Sequence, residues 1–65
     1  MKKLKWKYYR RERTYIANGE DYRIESFKEN RSFELTIFQN KYTIHNIPFK
    51  KLSNAKKAAQ LIYNG

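Results

Sequence analysis

The chain has 65 residues, with 15 Lys or Arg against 6 Asp or Glu, which gives a formal net charge of +9. A chain of this length buries only about 60% of its unfolded surface, so residues 1–65 form one small domain without room for a deep substrate cleft. A large enzyme is excluded. Its composition, 40% hydrophobic and 17% aromatic, is too rich in core-forming residues for a disordered chain, although 32% of the residues are charged.

The residue types that carry most catalytic and metal chemistry are scarce. Cysteine is absent, which removes disulfides, thiolate metal ligands and cysteine nucleophiles together. His45 is the single histidine and has no partner at ligand spacing, so we expect it on the solvent face of a strand. Gly19 and Gly65 are the only glycines and leave no phosphate-binding loop. We expect no metal, no cofactor and no enzymatic activity.

Hydropathy and charge also bear on location. No apolar run follows the basic start of the chain, and none reaches the roughly 18 residues of a membrane span. We therefore expect a soluble cytoplasmic protein with no membrane partner.

The charge is concentrated at the two ends of the chain, because residues 1–13 carry a net +6 and residues 48–65 a net +4, whereas residues 14–47 carry −1. If the fold brings the ends together, they form the positive surface typical of a nucleic-acid-binding protein.

The first predicted elements form a hairpin. Asn18 and Gly19 separate strand-like runs at residues 14–17 and 21–27. Asn-Gly tolerates the positive φ angles of a type I′ turn, so the sequence predicts a two-residue hairpin loop.

The next predicted strand follows a polar loop at residues 28–31. Apolar side chains occupy every second position of residues 33–39, namely Phe33, Leu35 and Ile37. This period-2 pattern predicts a strand with these three side chains in the core.

The last predicted strand covers residues 42–47, which are rich in β-branched and aromatic side chains. Ile44 is expected to pack in the core, and Pro48 is expected to end the strand because it lacks a backbone donor. These runs predict a three-stranded meander over about residues 14–47, with a fourth strand if residues 4–9 join the sheet.

The chain then changes to helical periodicity. A small apolar stripe at spacing i, i+3, i+4 and i+7 predicts a helix over residues 53–63, with Ser53 as its N-cap and Gly65 as its stop. An isolated helix of about ten residues is marginal in water, so it must pack on the sheet. The predicted fold class is α+β, a three- or four-stranded antiparallel β-meander with one C-terminal α-helix packed on one face.

The N-terminal basic segment, residues 1–13, interleaves cations with aromatic rings. Cations neutralise phosphates and rings stack on bases, so the segment is a candidate nucleic-acid site. Its candidate residues are Lys5, Trp6, Lys7, Tyr8, Tyr9, Arg10, Arg11 and Arg13. The alternative is that Trp6 and Tyr8 complete the core while the lysines protect an edge strand from aggregation.

A second cationic cluster surrounds the predicted helix start and consists of Lys50, Lys51, Lys56 and Lys57. Cations at this position oppose the helix dipole, which favours acids there. One interpretation is an anion site in which the lysines and the free helix amides hold a phosphate. The other is that these lysines are ordinary solvated residues.

The order of strands from about Tyr22, followed by the run FKKLSNAKKAA at residues 49–59, resembles small phage and mobile-element proteins. The outline is also similar to the sheet-plus-helix DNA-binding domains of the AP2 type and of integrase arm-binding domains. That resemblance implies a sheet laid in the major groove, with an outward face that reads the DNA. By alternation this face carries Arg23, Glu25, Glu34, Thr36, Thr43 and His45. The spacing of Ala55, Lys56 and Ala59 is similar to the second helix of double-stranded-RNA-binding domains, where lysines contact phosphates.

The pattern as a whole predicts a non-enzymatic, small basic nucleic-acid-binding protein of phage or mobile-element type, with DNA favoured over RNA. The alternative is a protein-interaction module, a phage-type inhibitor or adaptor that docks on an acidic surface of a host protein. A homodimer paired through an exposed edge strand is compatible with both.

Overall fold

A computed structural model describes residues 3–65, and the first two residues of the basic segment lie outside the described residues. The chain forms one antiparallel sheet with strand order β1-β2-β3-β4-β5 and one C-terminal helix. The elements are β1 (Lys7–Tyr9), β2 (Thr14–Ala17), β3 (Tyr22–Phe27), β4 (Ser32–Gln39), β5 (Tyr42–Phe49) and α1 (Leu52–Asn64). The predicted α+β class, an antiparallel sheet followed by one C-terminal helix, is confirmed.

The number of strands differs from the prediction of three or four. The four runs identified at residues 14–17, 21–27, 33–39 and 42–47 all form strands, β2 to β5, so the predicted count of three over residues 14–47 is one too few. The short β1 pairs with β2 and adds the fifth. The sheet therefore has two edges, a three-residue one at β1 and an eight-residue one at β5.

The helix covers one face of the sheet, which we call the helix face, and packs against β3, β4 and β5. Ile24, Leu35 and Ile37 are fully buried there. Ala55 and Ala59 are the buried residues of the helix, and their small side chains let its backbone lie close to the sheet. This contact forms the core of the domain, as the period-2 and period-3.6 patterns predict.

Two tyrosines hold the C-terminal part of the helix against β3. The rings of Tyr22 and Tyr63 meet edge to face, with centroids 5.7 Å apart. Burial raises the pKa of Tyr22 above its ordinary value of 10.0, and nearby Tyr63 and Asp21 add to the shift. Tyr22 is therefore an uncharged core side chain at neutral pH.

The hairpin between β2 and β3 has a four-residue loop rather than the predicted two-residue one. Ala17 pairs with Tyr22, and the backbone N–H of Asp21 donates to the carbonyl of Asn18 at 3.2 Å. A two-residue loop would have placed Glu20 opposite Ala17 on the buried helix face. The observed register buries Tyr22 there instead and leaves Glu20 in the exposed turn.

A β-bulge in β5 changes which side chains face the helix. Ile37 pairs with His45 and Phe38 with Thr43, so Ile44 has no partner. The prediction of Ile44 as a core residue is wrong, since it is 47% exposed. His45 is a solvent-exposed strand residue as expected, but it pairs with Ile37 on the helix-face side, so its predicted place on the outward face is wrong. The physical reason is that Ile44 and Ile47 are three residues apart, and strict alternation cannot place both on one face.

Pro48 does not end β5, which continues to Phe49. Pro48 pairs in register with Glu34. Because β5 is an edge strand, a residue without a backbone donor is tolerated there.

The helix begins one residue earlier than predicted. Lys51 is the N-cap, with extended backbone angles and no side-chain capping bond, so Ser53 is not the cap. The earlier start places Leu52 against the core. The predicted stop is confirmed, because the N–H of Gly65 donates to the carbonyl of Leu61 at 2.9 Å.

The segment before β1 runs along the helix. Leu4 and Trp6 are partly buried and pack against the core, and the backbone N–H of Leu4 donates to Oε1 of Gln60 at 2.8 Å. The interpretation of Trp6 as a core-completing residue therefore describes its position. The described residues contain no helix long and apolar enough to cross a membrane.

Candidate nucleic-acid interface

The positive charge of the chain is concentrated at one end of the sheet. In an antiparallel meander alternate connections lie at the same end, so residues 10–13, 28–31 and 50–51 meet at one end, which we call the basic end. These connections contain seven Lys or Arg and two Glu, a net charge of +5. At the opposite end the connections at residues 18–21 and 40–41 contain one Lys and two acids, and Lys3 and Lys5 precede β1 there, so that end carries a net charge of only +1. The resulting field attracts anions to the basic end.

A cleft of about 610 Å³ opens at the basic end. Its walls combine cations with aromatic rings and contain no acidic side chain. The lining residues are Tyr8, Arg13, Tyr15, Ser26, Phe27, Lys28, Arg31, Ser32, Phe33 and Lys50. Such a mixture suits a ligand that carries both negative charge and flat apolar surface.

The aromatic wall comes from neighbouring strands. Tyr8 and Tyr15 pair directly across β1 and β2, and their ring centroids are 4.6 Å apart with a tilt of 41° between the planes. Tyr8 is 46% exposed, and Phe27, at the end of β3, is 40% exposed. The cleft therefore offers ring surface to a ligand rather than burying it in the core.

The cationic wall comes from three different connections. Arg13 ends the turn at residues 10–13, and Arg31 ends the turn at residues 28–31. Both have left-handed backbone angles, with φ of 52° and 50°. Lys50 follows β5. The backbone N–H of Ser26 donates to the carbonyl of Arg13 at 2.9 Å, which ties the first turn to β3.

The helix start lies beside the cleft. The Nζ atom of Lys56 is 5.1 Å from the ring centroid of Tyr15, which is cation–π range. The first turn of the helix contains no acidic residue, and no side chain caps it. The helix therefore adds positive potential to the basic end.

The fold brings part of the predicted site together. Tyr8, Arg13 and Lys50 line the cleft, although they come from opposite ends of the sequence. A second group of predicted residues lies next to the cleft, either in the connections of the basic end or in contact with the Tyr15 ring. This second group consists of Arg10, Arg11, Lys51 and Lys56.

The remaining predicted residues do not line the cleft. Lys5 precedes β1, Trp6 packs on the core, and Lys57 is exposed on the helix. Lys7 and Tyr9 lie on the face of the sheet without a helix, with Nζ of Lys7 5.4 Å from the Tyr9 ring centroid.

The middle of the chain also contributes to the cleft, and none of its lining residues was predicted as a site residue. Lys28 and Arg31 supply half of the cations in the cleft, and Phe27 and Phe33 supply half of its aromatic rings. The signal that could have found them is topological. Once the meander is predicted, the loop at residues 28–31 must lie at the same end as residues 10–13 and the start of the helix.

The described residues contain no group of three or more His, Asp or Glu side chains placed to hold a metal ion. Comparisons of the chain with protein-family models, curated proteins and solved structures gave no match. Function is therefore inferred from the side chains that the fold places at the basic end.

Proposed function

We propose that this domain is a non-enzymatic nucleic-acid-binding protein and that the basic end of the sheet is its interface. The observation that carries the proposal is the meeting of Arg13, Lys28, Arg31 and Lys50 around an aromatic cleft without an acid. We place DNA before RNA, and a phage or mobile-element origin first, because the sheet-plus-helix outline resembles DNA-binding domains of that type.

The physical basis is counterion release. Each phosphate that a cation neutralises frees condensed counterions from the nucleic acid, which favours association independently of base sequence. Four cations line the cleft, and Lys56 stands beside it. We therefore expect about five phosphate contacts, with the other cations of the basic end steering the encounter.

Sheet-in-groove binding of the AP2 type has less support. The face of the sheet without a helix, which we call the open face, carries Glu25 and Glu34 directly opposite each other on β3 and β4. Only Arg23 offsets them on these two strands. Carboxylates at the centre of this face repel phosphates, so we place the interface at the end of the sheet rather than on its face.

The salt dependence of binding tests the proposal. Fluorescence polarisation of labelled duplex DNA should show a slope of log K against log salt of about −4 to −5, as five phosphate contacts require. Labelled single-stranded DNA and duplex RNA, measured in parallel, rank the ligand classes. A slope near zero, or no binding to any of the three near physiological salt, would contradict the proposal.

The alternative function uses the same surface. A basic end with exposed rings also suits an acidic surface of a host protein, since charge steers the association and aromatic side chains anchor it. Absence of nucleic-acid binding, together with binding to an acidic protein, would favour this alternative.

A homodimer remains a proposal compatible with both functions. The open edge at β5 is eight residues long and contains no Lys, Arg, Asp or Glu, whereas the edge at β1 is short and follows Lys5. Lysines and short length protect the β1 edge from pairing, whereas β5 is long and has only Pro48 and the bulge at Ile44 to protect it, so β5 is the edge at which two copies would pair. Sedimentation at increasing protein concentration measures directly whether the chain forms a dimer.

A further inference from the structure

We propose that the cleft at the basic end binds unpaired nucleotides, so that the domain prefers single-stranded DNA to duplex DNA of the same sequence. This inference rests on the proposed nucleic-acid function and goes further by assigning the form of the ligand. Cations alone suit either form, because both carry phosphates. The aromatic wall distinguishes them.

Among nucleic acids, only a ligand that presents base faces can use this ring surface. In a duplex the bases are paired and stacked on each other, so protein rings outside the grooves meet phosphates and sugars. In a single strand each base has a free face, and stacking on a protein ring contributes substantially to affinity. Tyr8 and Phe27, which both line the cleft, are 46% and 40% exposed overall. A phosphate-only interface gains nothing from these exposed rings.

The arrangement of charge around the rings fits a strand that crosses the cleft. Arg13 and Lys28 come from the turns next to β2 and β3, while Lys50 comes from the opposite side, after β5. The cleft is open rather than enclosed, and its volume of about 610 Å³ lies within the range of small-molecule sites, about 300–1,000 Å³. A cleft of this volume has room for individual bases with their phosphates but not for a double helix.

The position of Lys56 adds a second reason. Its ammonium group lies 5.1 Å from the Tyr15 ring centroid, and Tyr15 in turn contacts Tyr8 at 4.6 Å. The helix thus contacts the tyrosine pair through Lys56 and Tyr15. A supported ring loses little freedom when a base stacks on it, which lowers the entropic cost of binding.

The test replaces rings without removing charge. The variants are Phe27→Leu alone and the double variant Tyr8→Leu with Phe27→Leu, and the matched control is Tyr42→Leu. Tyr42 is 76% exposed, and it lies at the end of the sheet opposite the cleft. The probes are a labelled 12-nucleotide single strand of mixed sequence and the same sequence as a duplex, each measured by fluorescence polarisation at three salt concentrations.

The wild-type chain should bind the single strand at least about tenfold more tightly than the duplex, from the energy of one or two stacked bases. Phe27→Leu should weaken single-strand binding by roughly fivefold or more, and the double variant by more than that. Duplex affinity and both salt slopes should change little, since no cation is lost. Tyr42→Leu should behave as wild type.

Three results would overturn the inference while leaving the proposed function intact. They are equal affinity for the two probes, no effect of either ring variant on single-strand binding, and an equal loss for both probes. Circular dichroism of each variant confirms folding, and Phe27→Leu decides the question if the loss of Tyr8 unfolds the chain. Salt-independent or absent binding of both probes would overturn the proposed function itself.

Discussion

Replacing three cleft cations by glutamine in one chain (Arg13→Gln, Arg31→Gln and Lys50→Gln) is expected to weaken DNA binding by about a hundredfold or more at 0.1 M salt. Each lost phosphate contact removes about 0.9 from the salt slope, and at this salt concentration that corresponds to a factor of roughly eight per contact. The slope for duplex DNA should therefore fall from about −4.5 to about −2. Fluorescence polarisation across a salt series measures both quantities.

The matched control removes the same charge elsewhere. Lys3→Gln, Lys5→Gln and Lys41→Gln also lower the net charge of +9 by three, but none of these residues lines the cleft. Binding should then weaken only a few-fold. Lys5 was one of the phosphate contacts predicted from the sequence, so the control also tests that prediction. An equal loss in the two triple variants would mean that overall charge, and not the basic end, determines binding.

Leu35→Ala is expected to unfold the domain at room temperature. Leu35 is 0% exposed in the centre of β4, directly beneath the helix. Truncating a fully buried leucine costs about 3–5 kcal/mol of unfolding free energy, while a core of this size supplies only about 3–5 kcal/mol in total. The measurement is a urea or thermal unfolding curve followed by circular dichroism.

The control for this change is the same substitution on the exposed side of the helix. Leu61 is 74% exposed, and alanine is a strong helix former. Leu61→Ala should therefore alter the unfolding free energy by less than about 0.5 kcal/mol. An unfolding curve for Leu35→Ala that matches the wild type would show that the helix does not pack on β4 as described.

The fold class could be predicted because most segments show a single hydrophobic period, either that of a strand or that of a helix. Phe33, Leu35 and Ile37 alternate without interruption, and the alanine stripe of the helix repeats at helical spacing. The side chains that these patterns place on one face are also the ones that pack between the sheet and the helix. Residues whose pattern and packing agree are the ones that sequence reasoning predicts best.

The errors occurred where packing between elements overrides a local rule. Period-2 alternation within β5 cannot predict that Ile44 is left without a partner. The bulge there brings Ile47 onto the helix face, which depends on packing between elements. Ser53 is a good N-cap by itself, but Leu52 packs against the core as the first helical residue, so the helix starts one residue earlier and Lys51 is the N-cap. Pro48 was treated as a strand end because the edge position of β5 was not known.

The candidate site was predicted only in part for a related reason. The two charged ends of the chain were visible in the sequence, and the structure places Arg13 and Lys50 in one cleft. Lys28 and Arg31 belong to a loop that looks like any other polar connection. Only the order of strands reveals that this loop lies between the other two basic connections. Trp6, the most prominent aromatic residue of the basic segment, packs on the core instead.

The most direct test of the central claim is to map the interface on the folded chain. Amide chemical shifts of the ¹⁵N-labelled protein would be followed by NMR during titration with a 12-nucleotide DNA strand. Binding at the basic end predicts the largest changes in residues 10–13, 28–31 and 50–51, with little change in residues 18–21 and 40–41. Changes centred on the open face around Glu25 and Glu34, or on residues 18–21 and 40–41 at the opposite end, would contradict it.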